Sequence, residues 1–172
     1  MAKKSVFRDF MTALRKHWKT EAPMFQPLNE LRGNLAKAST FYAGKIEESG
    51  LHVFLNFQHS DKSWEVGRFT INIVLSADEQ NLRMISGDRS GSNYGQGWHR
   101  VGHLVGSEKD KWWHLKREED PADDFDMVVA WRPSSYDDPA VVIAEAVEDV
   151  TRDVFLALKK MNVSFVGKNG TG

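Results

Sequence analysis

The chain has no cysteine, which removes disulfides, thiolate metal sites and thiol nucleophiles together. It has no run of about 18 apolar residues, so no segment reads as a bilayer span. It also lacks an excess charge of either sign. The formal net charge is −1, so no whole-molecule field draws it to nucleic acid or to an anionic membrane. Met1-Ala2-Lys3-Lys4 is basic, but a polar helix follows it where a secretory leader would have an apolar core. A cytoplasmic location is therefore expected. A chain of 172 residues can bury about two-thirds of its unfolded surface without a metal or disulfide staple. One domain over residues 1–166 is expected, with 167–172 as a flexible tail.

What the chain does have is a change of hydrophobic period along its length. Phe7, Phe10, Met11, Leu14 and Trp18 recur at steps of three and four, the stripe of an amphipathic helix capped by Ser5. From Thr40 the period becomes two. Thr40–Ile46, Leu51–Gln58 and Phe69–Leu75 read as consecutive strands with short turns, an antiparallel meander. Val53, Leu55, Phe57, Phe69, Ile71 and Ile73 fall on one face; His52, Phe54, Asn56, Thr70 and Asn72 fall on the other. Strand character resumes at Trp98–Val105, Lys111–Leu115 and Met127–Trp131. Asp138 followed by Pro139 marks the start of a long helix to about Met161, whose buried stripe is Val142, Ala146, Val150, Val154, Leu158 and Met161. Asn162 suits its end, and Val163–Val166 can add an edge strand. The expected fold is α+β: a single antiparallel sheet of about five or six strands covered on one face by an N-terminal and a long C-terminal helix.

The order of several segments resembles a known family. Thr40-Phe41-Tyr42, Leu55-Asn56-Phe57-Gln58-His59-Ser60, Phe69-Thr70-Ile71-Asn72-Ile73, His99-Arg100-Val101-Gly102-His103-Leu104 and Asp110-Lys111-Trp112-Trp113 are similar to the bacterial domain-of-unknown-function 4304 family. The resemblance covers residues 7–160, with a longer segment here before the first strand and an acidic insertion before the last helix. It implies a small fold of helix, sheet and helix. It implies no activity.

Catalytic templates fit poorly. His99 and His103 are four residues apart, about 13 Å along a strand, too far to share one ion, whereas the same spacing on a helix would suit a metal. His52 and His114 have no carboxylate placed beside them by the pattern, so neither metal nor cofactor is expected. The glycine-punctuated segment 87–97 has no lysine and leads into a strand, so it is not a phosphate loop. Its Arg89 and Tyr94 remain contact residues at a rim. Gly87-Asp88-Arg89-Ser90-Gly91 has its serine one place too late for a nucleophile elbow. Trp112 and Trp113 point to opposite faces of a regular strand.

Charge is distributed in blocks. Lys3, Lys4, Arg8, Arg15, Lys16 and Lys19 crowd the first helix; Glu118, Glu119, Asp120, Asp123 and Asp124 crowd a later loop. Both read as solvated faces.

The expected function is non-catalytic binding of another bacterial protein by the sheet face away from the helices and the 87–97 loop. The residues expected to carry it are His52, Asn56, Thr70, Asn72, Arg89, Tyr94, His99, Arg100 and His103. Two alternatives stand beside it: a small hydrolase or nuclease using His99, His103 or Arg100 with a distant carboxylate, and weak nucleic-acid binding by the basic first helix.

Overall fold

The computed structural model describes residues 6–28, 39–59, 67–77, 98–106, 109–116 and 128–165. Ser5, the 87–97 loop with Arg89 and Tyr94, the acidic 117–126 stretch and the 167–172 tail lie outside these residues.

Helix α1 (Val6–Glu21) buries Phe7, Phe10, Met11, Leu14 and Trp18, the stripe expected from the three-and-four spacing. Helix α3 (Pro139–Lys160) begins as the sequence predicts: Asp138 accepts a hydrogen bond from the Ala140 amide, and Pro139 takes the first helical position. Asn162, just past its end, has φ 52°, a left-handed conformation that asparagine tolerates better than most residues. The two helices lie on the same face of the sheet and share one core with it. Trp18 joins them directly, its indole Nε1 donating to Thr151 Oγ1 at 2.9 Å. Beneath them the sheet supplies rings in contact: Phe10 stacks on Phe69 at 4.7 Å and Phe69 on Trp113 at 5.5 Å.

Strands β2 (Thr40–Ile46), β3 (His52–His59) and β4 (Arg68–Ser76) form the expected antiparallel meander. Asn56 lies opposite Asn72 and Leu55 opposite Ile73, so the register puts each face's residues where the alternation predicts. A bulge at Gly44, φ 139°, shifts the β2–β3 register. The outer edge of β2 pairs with two short strands, β1 (Gln26–Pro27) and β8 (Val163–Ser164).

Elsewhere the sheet departs from the expectation. The sheet is mixed, not a single antiparallel one: β7 (Val128–Trp131) runs parallel to β6 (Asp110–His114). The segment 115–127 between them is long enough for the crossover that parallel neighbours require. Among the described residues the sheet has eight strands; β8 is the edge strand that the sequence allowed, and β1, two residues long, is too short to show a period. Nor is Trp98–Val105 one strand. β5 (Trp98–Arg100) ends and a four-residue helix, α2 (Val101–Leu104), follows. Val101 is buried in the core and Gly102 lies on β6 so closely that a Cβ there would sit 2.5 Å from the Lys111 amide nitrogen. Glycine permits that approach, and the backbone turns to use it. β5 and β6 then share one edge of β4, β5 against Asn72–Val74 and β6 against Arg68–Phe69.

Among the described residues no helix is long and apolar enough to cross a membrane.

Candidate functional site

The sheet face away from the helices carries Thr40, Tyr42, His52, Phe54, Asn56, Gln58, Thr70, Asn72, Arg100, Asp110 and Trp112, by strand register. It is not the open surface that the polar alternation suggested. Phe54 is 0% exposed and forms a second apolar cluster with Tyr42 and Val74, against which Leu28 packs. Asn72 is 0% exposed, and His52 and Thr70 are buried as well. The physical reason lies in the same strands: a face bearing Tyr42, Phe54 and Val74 has large apolar area to hide, and the polar groups between them are buried with it. One end of the face reaches solvent at Gln58, which is exposed, beside half-buried Asn56 and Trp112 and an Arg100 side chain that is 13% exposed.

Most of the buried polar groups on this face are hydrogen-bonded within it. Tyr42 Oη and His52 Nδ1 are hydrogen-bonded at 2.9 Å. Thr70 Oγ1 donates to the Lys111 carbonyl at 3.0 Å. The central amides form a chain. Arg100 Nη1 donates to Asn72 Oδ1 at 2.6 Å, and Asn72 Nδ2 donates to Gln58 Oε1 at 3.0 Å and Asn56 Oδ1 at 3.3 Å. Asn56 Nδ2 in turn donates to Thr40 Oγ1 at 3.1 Å. Behind the guanidinium, Asp110 Oδ2 lies 3.5 Å from Arg100 Nε and accepts from Trp112 Nε1 at 3.1 Å. The first of these distances is that of an ion pair without hydrogen-bond geometry: Arg100 Nε and Asp110 Oδ1 are buried with no hydrogen-bond partner. The Trp112 ring lies 5.8 Å from the guanidinium carbon, a cation–π separation.

The two histidines that invited an acid–base reading are separated by the fold. His99 is opposite Ile73, which puts it on the helix side of β5, away from Arg100. His103 is exposed on α2. Among the described residues no three histidine, aspartate or glutamate side chains are grouped to hold a metal ion.

Burial lowers the pKa of His99 below its ordinary 6.5. The unfolded chain then protonates first as pH falls, so the stability linked to His99 is complete above about pH 6.5 and is lost as pH drops towards the folded value. Urea titrations between about pH 8 and pH 5 should show a decline that His99→Gln reduces. Superimposable profiles for the two proteins would show that the imidazole is solvated.

One cluster escaped the sequence reading altogether. On the helix side of β6, Lys111 Nζ lies 2.8 Å from Asp149 Oδ2 and 2.5 Å from Asp153 Oδ2. Trp113 Nε1 also donates to Asp149 Oδ2 at 2.8 Å, and Arg152 closes the group from outside by pairing with Asp149. A signal for it exists in retrospect. Asp149 and Asp153 are one turn apart and each directly precedes a residue of the buried stripe, Val150 or Val154, so they flank the core where solvated acids are rare. The group joins β6 to α3.

No protein-family model, no curated protein and no solved structure matches the chain.

Proposed function

We propose that the chain is a non-catalytic binding module that engages a protein partner through the solvent-reaching end of this face: Asn56, Gln58, Arg100 and Trp112. The observation that carries the reading is the amide chain. It holds Arg100 from Asn72 and Gln58 at one end, with Trp112 and Asp110 packed behind it. Arginine and tryptophan are the side chains that most often dominate protein interfaces, and a guanidinium fixed before binding loses little entropy on contact. The network is built from amides and a guanidinium, which act as hydrogen-bond donors and acceptors, and that suits recognition. A cytoplasmic setting and kinship with the domain-of-unknown-function 4304 family belong to the same proposal.

The test begins with capture of a partner from the native host by the full chain, followed by a binding assay with both components purified. Trp112→Ala should weaken binding at least about tenfold with the fold intact, since it removes the half-buried ring beside Arg100. His99→Gln with His103→Gln should leave affinity within about tenfold, the effect of one ordinary contact. Turnover in a broad hydrolase screen that disappears with either histidine substitution would replace this reading with the enzymatic one.

A further inference from the structure

We infer that the patch is built to receive a carboxylate, an acidic side chain of the partner, at the donor edge formed by Arg100 and Gln58. The inference rests on the binding reading above and names the chemistry recognised. Its basis is the direction of the hydrogen bonds. Arginine has only donors, so its 2.6 Å contact identifies the Asn72 atom facing it as the oxygen. The Asn72 nitrogen must then point at Asn56 and Gln58, as it does, and both must turn oxygens towards it. Gln58 Oε1 also faces Arg100 Nη1, at 3.4 Å. Every amide oxygen of the chain is thereby committed inward, and the surface is left with nitrogen. Among the described residues neither Gln58 Nε2, on an exposed side chain, nor Arg100 Nη2 has a partner. Donors without acceptors at a surface select an acceptor-rich group, and a fork of N–H bonds selects a carboxylate. Asp110 does not occupy that position. Its Oδ1 and the Arg100 Nε beside it are buried, so it holds the guanidinium from behind, and the Arg100 side chain keeps 13% of its surface in solvent.

The experiment follows side-chain NMR signals of the full chain: the Gln58 amide, the Arg100 Nε–H and the Trp112 indole. The probes are acetyl-glutamate amide, acetyl-glutamine amide and inorganic phosphate. The glutamate compound should shift these signals saturably and the glutamine compound should not. Gln58→Glu keeps the inward oxygen but presents an anion outward on an exposed residue, so it should weaken the response at least about tenfold, with the backbone spectrum retained. Equal shifts from the glutamate and glutamine compounds, no shift from either, or a larger response to phosphate would each overturn the carboxylate assignment. The two proposals fail separately. Probe binding that Gln58→Glu erases, beside partner capture that it leaves intact, would keep the carboxylate site and remove it from the protein interface. Partner capture lost with no probe response would keep the interface and reject the carboxylate.

Discussion

Lys111→Met is expected to destabilise the fold by about 3–5 kcal/mol, the usual consequence of leaving buried charges without their partner. The lysine side chain is 15% exposed and lies between carboxylates that are 11% and 7% exposed. Methionine keeps most of the packing along the stem and removes only the ammonium. Arg152 still reaches Asp149, but its side chain is 63% exposed, and a solvated cation compensates little. The same reasoning predicts a rescue. Adding Asp149→Asn and Asp153→Leu to Lys111→Met removes both stranded charges while an amide oxygen still accepts from Trp113, so most of the lost stability should return. Denaturant titration measures both effects. A loss of less than about 1 kcal/mol for Lys111→Met would show that the group behaves as a surface pair.

Asn72→Ala is expected to cost about 1–3 kcal/mol, although the alternation along β4 places this residue on the polar face, where a substitution would ordinarily cost little. The side chain is 0% exposed. Removing it takes an acceptor from Arg100 and a donor from both Asn56 and Gln58. For comparison Ile71→Ala, on the helix side, is expected to lose about 2–5 kcal/mol as a core truncation. A shift in the denaturation midpoint for both, with unchanged slope, would show that each face of β4 is a load shared by the folded state. An Asn72→Ala protein as stable as the parent would mean that water replaces the amide and that the face is open after all.

The legible part of this fold was the part in which a local period reports burial. Phe7 to Trp18 and Val142 to Leu158 have a helical stripe, and Val53 to Phe57 and Phe69 to Ile73 alternate. Each pattern is long enough to say which side meets the helices. The Asp138–Pro139 start is equally local, because a cap needs only its own helix. Candidate residues were recoverable in part for the same reason. Asn56, Asn72 and Arg100 share a face by parity and strand pairing, and the structure brings them into one network. The single strand expected over Trp98–Val105 failed because the period was extended through Gly102, where the chain turns into α2.

Sequence alone therefore determined the helices, the central meander and which side of each strand meets the core, since these follow from side-chain spacing within single elements. Tertiary structure decided the parallel β6–β7 pairing, the pairing of Lys111 with Asp149 and Asp153, and the burial of the second face. Each depends on which distant segment arrives as a neighbour. A side-chain period reports the direction of a residue, but only packing decides whether water or protein waits there.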